Sequence, residues 1–257
     1  LQEFHQELST LNFLDPACGS GNFLILSYRE LRKLEFEILK LLHKGSVLDI
    51  ETIVWCDVDQ FHGIEYEEFP AQIARVAMWL IDHQMNMMIS EYFGQYFARL
   101  PLKKSANIIH GNSLRIDWEE VIGKDKLSFI LGNPPFIGKQ LQNKEQKEDM
   151  KAIFGKVQGA GVLDYVTAWY LKASSYMQNT KIKTAFVSTN SISQGEQVGV
   201  LWKELFDNYK IKIHFAHQTF NWSNEAKSNA AVHVVIIGFT NFDSEDKKIF
   251  EYEDIKG

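Results

Sequence analysis

The sequence predicts an α/β domain built on a largely parallel sheet. Short apolar runs rich in branched residues alternate with long helical stretches, and two loops marked by glycine or proline directly follow such runs. The composition agrees: 257 residues, 45% apolar and 23% charged, is the profile of an ordinary globular domain.

The elements follow in chain order. Leu11 to Leu14 reads as a first strand that stops at Asp15-Pro16 and a glycine-containing turn. From Gly21 to His43, Leu24, Tyr28, Leu31, Leu34, Ile38 and Leu42 recur at spacings of three and four, which predicts a long amphipathic helix. Thr52 to Val58 and His62 to Tyr66 are candidate strands, and a helix starting near Pro70 carries Ile73, Ala77, Leu80 and Ile81. Later strands read at Asn107 to His110, Leu127 to Leu131, Thr184 to Ser188, Ile211 to Ala216 and Val232 to Phe239. Helices read at Leu163 to Met177 and Gln194 to Asn208. Gly138 to Gly161 is polar and glycine-bounded and reads as a mobile loop with a short helix inside.

Composition also excludes several classes. A chain this long buries most of its apolar surface without cross-links. Its two cysteines, Cys18 and Cys56, supply neither a disulfide scaffold nor a four-sulfur zinc site, so a reducing, cytoplasmic location is expected. No apolar run approaches the ~20 residues of a membrane helix, and the first residues lack the pattern of a signal peptide. With net charge −6, a nucleic-acid partner has to be held by a local patch or by a part outside this sequence. Leu1 is not an initiator methionine, and the chain reads as a piece of something longer.

Two motifs carry chemistry. The first is Asp15-Pro16-Ala17-Cys18-Gly19-Ser20-Gly21-Asn22-Phe23, between a strand and a helix. Its glycines let the backbone approach a ligand, but Leu24 stands where a dinucleotide fingerprint needs its third glycine, and no Gly-Lys-Ser/Thr follows for a phosphate loop. A carboxylate at the strand end suits a ligand bearing an amino group or positive charge; a plain tight turn is the bland alternative. The second motif is Gly132-Asn133-Pro134-Pro135-Phe136, immediately after Phe129 to Leu131. Its prolines stiffen the loop and leave carbonyl acceptors, the Asn133 oxygen beside the Pro134 carbonyl makes two acceptors for one amino group, and Phe136 can stack on a heterocycle.

Together the motifs resemble those of S-adenosylmethionine-dependent amino-methyltransferases, specifically DNA adenine-N6 methyltransferases of the gamma class, in which the cofactor motif precedes the catalytic one. Gly63-Ile64-Glu65-Tyr66, Leu163-Asp164-Tyr165-Val166, Phe186-Val187-Ser188-Thr189-Asn190-Ser191-Ile192 and Phe220-Asn221-Trp222 extend the likeness to the methyltransferase part of MmeI-like (Type IIL) restriction-modification enzymes. The resemblance covers nearly the whole chain, residues 1–257. It implies a Rossmann-like, seven-stranded class I methyltransferase sheet with Val232 to Phe239 as its one antiparallel strand. It also implies DNA as partner, no membrane, and further nuclease, helical and target recognition regions of the same chain outside this sequence.

Carried over by that resemblance, Asp15, Ala17, Gly19 and Gly21 line the methionine end of S-adenosylmethionine, and Glu65 takes the ribose hydroxyls, with Asp57 and Asp59 as rivals. Asn112 faces the cofactor adenine, where family members usually carry aspartate; a strand-end Asn in a turn is the alternative. Asn133 and Pro134 hold the target amino group and Phe136 stacks on the flipped base. Phe220 either covers its other face or simply packs.

The implied reaction is methyl transfer to adenine N6, which needs orientation rather than a strong base because the sulfonium methyl is already activated. A methyltransferase acting on RNA or a protein glutamine, and a noncatalytic module, are the alternatives. No metal site is expected, since His214, His217 and His233 lie on alternating strands without a nearby acidic cluster. Met85, Met87 and Met88 read as packing at a helix end. The lysines after Gly138, namely Lys139, Lys144, Lys147, Lys151 and Lys156, form either a solvated face or phosphate contacts.

Overall fold

The computed structural model describes residues 1–44, 49–99, 105–222 and 232–252. The chain divides into two compact units, Leu1–Ser113 with Trp118–Phe129, and Leu114–Asp117 with Ile130–Gly257.

In the first unit, β1 (Phe13–Asp15), β2 (Phe61–Glu65) and β3 (Asn107–His110) form parallel ladders in the order β3-β2-β1. Parallel neighbours need crossovers, and α2 (Asn22–His43) and α3 (Glu68–Phe93) supply them. The α2 stripe is close to the expected one: Leu24, Tyr28, Leu31 and Ile38 are buried. Leu34 is instead 42% exposed, because Arg32 and Glu35 occupy the inner face. Helix α3 begins two residues before Pro70 and packs through Ala71, Ala74, Met78, Ile81 and Met85, so Ile73 and Leu80 face outward, contrary to expectation. Met85 is buried and Met88 packs on the same core, whereas Met87 is exposed.

Thr52 to Val58 is not a strand, because side chains take up its backbone groups. The Glu35 carboxylate accepts from Trp55 N and Cys56 N at 2.7 and 2.8 Å, and Arg99 donates to the Val54 and Cys56 carbonyls. Asp57 then caps a 3₁₀ turn over Val58–Gln60. These contacts belong to a buried polar network absent from the sequence reading. Its centre is Arg32, which donates to Asp82, Tyr28 and Asn86 and lies 3.1 Å from Glu35. Helix α1 (Gln2–Thr10), also not anticipated, joins through His5, hydrogen-bonded to Glu35 and stacked on Trp55.

The short α4 (Trp118–Val121) also belongs to this unit, and β4 (Phe129–Gly132) leads out of it. In the second unit, α5 (Lys144–Phe154) lies inside the polar stretch after β4, started by a capping box between Asn143 and Gln146. It is followed by α6 (Thr167–Tyr176), β5 (Lys183–Thr189), α7 (Glu196–Asp207), β6 (Lys212–Trp222), β7 (Val232–Thr240) and β8 (Lys248–Phe250).

Strand order in this unit is β5-β7-β6-β8, and β7 runs antiparallel to both of its neighbours, as expected. Eight strands rather than seven occur among the described residues, the addition being the three-residue β8. The core here is aromatic: Tyr170 stacks on Phe239 and meets Phe186 and Trp202 edge-on. No helix among the described residues is long and apolar enough to cross a membrane.

Candidate cofactor and catalytic segments

The first segment sits at the carboxyl ends of β1, β2 and β3. Asp15 closes β1 with 1% exposure. Its Oδ1 accepts from Ala17 N at 3.0 Å, while Oδ2 is buried with no partner among the described residues. Burial pushes the Asp15 carboxyl up to about 7; the Ala17 bond opposes that shift and the Glu65 charge adds to it.

The turn beyond Asp15 is fastened from its backbone. Cys18 N donates to Ile64 O, Gly21 N to Cys18 O, and Gly19 N to Glu65 Oε2 at 2.8 Å. Both glycines are left-handed, Gly19 at φ +54° and Gly21 at φ +87°. A Cβ on Gly19 meets nothing within 4 Å, so that side of the turn is open; one on Gly21 lies 3.1 Å from Ala74 Cβ, so helix α3 closes the other side. Cys18 packs beneath the turn, and its thiol is held neutral by burial and by the nearby Asp15 and Glu65 charges.

Glu65 closes β2, and its second oxygen accepts from Glu67 N at 2.9 Å. Its carbonyl accepts from Gly111 N, which brings the half-buried Asn112 to the same edge. Asp15, Ala17, Gly19, Gly21, Glu65 and Asn112 are thus brought together. Asp57 and Asp59 are not: they precede β2 at its opposite end, and Asp57 is engaged in its cap and with Arg99 at 3.3 Å. A cavity of about 840 Å³ bounded by Trp55, Arg75, Trp79 and Arg99 is lined by Asp57 but by none of those six residues.

The second segment begins where β4 ends. Asn133 Oδ1 is buried and has no hydrogen-bond partner among the described residues. Pro134 is buried, Pro135 exposed and Phe136 half-buried. The loop is held from outside: Tyr165 N donates to Ile137 O, Lys139 N to Asp164 Oδ1, and Gln142 Nε2 to Leu163 O. The other Asp164 oxygen accepts from Ser191 Oγ at 2.7 Å, and Ser191 is bonded in turn to Thr189. Tyr165 donates to the buried Asp149, which Arg115 also binds at 2.7 Å.

The family resemblance includes the segments around Asp164 and Ser191 but implies no task for either residue. An acid next to an aromatic in Leu163-Asp164-Tyr165 was the available signal, but what it bonds is a long-range fact.

Phe220 is half-buried on β6, with Tyr252 tilted against its ring at 5.4 Å, a packing contact. His214 bonds Thr240 and the Phe242 carbonyl, and His217 bonds Tyr252 and stacks on Phe250. No cluster of three metal-ligating side chains occurs among the described residues.

Known proteins are similar to this chain. The profile of the family described as MmeI, DNA-methyltransferase domain, matches residues 1–251. DNA methyltransferase A of Bacillus subtilis is 42% identical over 262 residues, covering all of this chain and 29% of that protein. The Type IIL restriction-modification enzyme MmeI, solved in complex with DNA, is 58% identical with a TM-score of 0.96, covering all of this chain and 34% of that one.

At the level of fold alone, a Listeria monocytogenes protein provisionally assigned as a class I S-adenosylmethionine-dependent methyltransferase gives a TM-score of 0.52 at 14% identity. That match covers 96% of this chain and 60% of that one. The chain therefore spans about a third or less of the relatives whose sequences it follows, and it belongs to the MmeI family of DNA-methyltransferase domains.

Proposed function

We propose that this chain transfers a methyl group from S-adenosylmethionine to the N6 amino group of an adenine flipped out of DNA, as the catalytic domain of a restriction-modification enzyme. The observation that carries this reading is Asn133 Oδ1, a buried acceptor with no partner among the described residues at the end of a strand, followed by two prolines and an aromatic ring. Leaving such a group unpaired costs about 1–3 kcal/mol, which a donor on a ligand offsets.

Adenine N6 is a poor nucleophile because its lone pair is delocalised into the ring. Asn133 Oδ1 and the Pro134 carbonyl are suited to accept its two hydrogens, favour a more tetrahedral nitrogen and aim the lone pair. Neither acceptor takes a proton permanently: as the N6–methyl bond forms and the sulfur–methyl bond breaks, sulfur leaves as a neutral thioether and the excess proton on the methylated nitrogen passes to water. Phe136, immediately after the proline pair, is suited to stack on the extruded base.

The first segment fits S-adenosylmethionine. The unpartnered Asp15 Oδ2 suits its ammonium, the open face of Gly19 admits close approach, and the Glu65 oxygens have lone pairs left for ribose hydroxyls after accepting from Gly19 and Glu67. When bound, the cofactor supplies a sulfonium-activated methyl. Asn112 is assigned to the cofactor base, and Phe220 is assigned to packing with Tyr252. The DNA-recognising and nuclease functions belong, on this reading, to other regions of the same protein.

The test is methyl transfer by the natural full-length protein from isotopically labelled cofactor to DNA, RNA and protein in parallel. N6-methyldeoxyadenosine after nucleoside digestion is the expected product. Label confined to RNA or to glutamine side chains would overturn the DNA assignment, and label in none would leave a noncatalytic module.

A further inference from the structure

Helix α5 carries Lys147 and Lys151 one turn apart. Both line a cavity of about 470 Å³ with Lys139, Met150, Phe154 and Leu163. The three lysines are exposed at its rim, and the buried Met150, Phe154 and Leu163 are its apolar lining. Among the described residues none of the three forms an ion pair.

The acids of the same helix are engaged elsewhere. Glu145 and Asp149 lie 3.4 and 2.7 Å from Arg115, and Glu148 faces Lys144 at 4.0 Å. The neighbouring Asp164 carboxylate binds the Lys139 backbone and Ser191. Two like charges one turn apart weaken a helix unless an anion lies between them. In a chain of net charge −6, this local excess is not a by-product of general basicity.

Three cations over an apolar lining match a nucleotide backbone, with phosphate outside and sugar inside. Lys139 also lies on the loop that begins at Asn133, and that loop is tied to the cavity wall through Gln142 and Leu163. We infer that the cavity between α5 and the Gly159–Leu163 turn holds a phosphodiester of the nucleic-acid substrate, with Lys139, Lys147 and Lys151 on its nonbridging oxygens. This rests on the function proposed above and adds the place where the strand beside the target is gripped.

The experiment compares the natural full-length protein with its Lys147→Glu/Lys151→Glu, Lys147→Ala/Lys151→Ala and Lys147→Arg/Lys151→Arg variants, each checked for folding by circular dichroism. Duplex DNA binding is followed by fluorescence anisotropy over a salt series. At about 100 mM salt the Glu pair is expected to bind at least about tenfold more weakly, with the slope of log affinity against log salt reduced by about two. The Ala pair should fall between, the Arg pair should stay near the parent, and affinity for S-adenosylmethionine should not move.

Inorganic phosphate near physiological concentration should not displace the duplex; efficient displacement would mark a free-anion site and overturn the inference. Folded Glu and Ala variants with parental DNA affinity and salt slope would also overturn it, and if the parent methylates DNA in the same preparation, the functional reading stands. A parent that methylates no DNA removes that reading instead.

Discussion

The turn after β1 and the loop after β4 each follow a strand with a side chain carrying one buried oxygen that has no partner among the described residues, Asp15 Oδ2 and Asn133 Oδ1. They are held by opposite means. The first is glycine-rich, left-handed at two positions and fastened through its own N–H groups to Glu65 and Ile64. The second is stiffened by two prolines and fastened from outside by Asp164 and Tyr165. The acceptors differ in the same sense. A carboxylate gains most from a permanent cation, whereas a neutral amide can orient an amino group during reaction without capturing its proton. On the function proposed above, the difference teaches that the first half binds charge and the second holds geometry.

The largest expected effect breaks the second half. In the natural full-length protein, Asn133→Ala should lower single-turnover methyl transfer by roughly 10²-fold or more, the scale seen when one preorganised stabiliser is removed. Cofactor affinity in calorimetry should barely change. Parental turnover by the folded variant would show that geometry at Asn133 is not what drives the reaction.

Asp15→Asn should break the first half instead. It exchanges a charge-assisted hydrogen bond worth about 1.5–3 kcal/mol for a neutral one, so cofactor affinity should fall roughly 10- to 100-fold with a smaller change in saturated rate. Stability should move the other way. Burial raises the folded-state carboxyl from 3.8 to about 7, so Asp15 ionises more readily in the unfolded chain. Its penalty is absent below pH ~4, grows as pH rises toward about 7 and is complete above that. Asn can still accept from Ala17 N, so the variant should melt several degrees higher than the parent at pH 8 and no higher at pH 4. Cofactor binding by the parent should weaken as pH falls through about 7. A variant equally unstable at both pH values would show that Asp15 is not strained by burial.

The sequence made this contrast visible only in part. Strand ends, glycines and prolines are local signals, so Asp15, Glu65 and Asn133 stood out by residue type and position. The α2 stripe was legible because its apolar period is local, but the exposed Leu34 and buried Glu35 were not. A buried ion network inverts the hydrophobic pattern wherever it lies. For the same reason Thr52 to Val58 looked like a strand: its apolar residues were visible, and the carboxylate of Glu35 and guanidinium of Arg99 that occupy its backbone were not. Asp164 holds the loop after β4 through Lys139 and Ser191, contacts that no spacing encodes.

Asp164 sharpens the comparison with a smaller effect. If the loop after β4 works by geometry, Asp164→Ala should slow methyl transfer about tenfold through misplacement of the loop, with cofactor affinity unchanged. Asp164→Asn, which keeps an acceptor for Lys139 N, should recover most of the rate. A residue serving stability alone would lower the melting temperature of both variants without this split between rate and binding.

The smallest effects separate the two kinds of stiffness. Gly21→Ala places a Cβ at φ +87° and 3.1 Å from Ala74, so left-handed strain should destabilise the folded state directly by roughly 1–2 kcal/mol. Pro135→Ala removes no folded-state contact of comparable importance, since Pro135 is exposed and Pro134 still presents its carbonyl. Its effect should come through the unfolded chain, which regains backbone freedom, and should be about 0.4–1 kcal/mol. Thermal melts at matched pH should therefore rank Gly21→Ala below Pro135→Ala, and Pro135→Ala just below the parent. Methyl transfer by Pro135→Ala should fall only a few fold, because Asp164 and Tyr165 still pin the loop at Lys139 and Ile137. A loss as large as that of Asn133→Ala would mean that proline stiffness, rather than the external tethers, holds Asn133 in place.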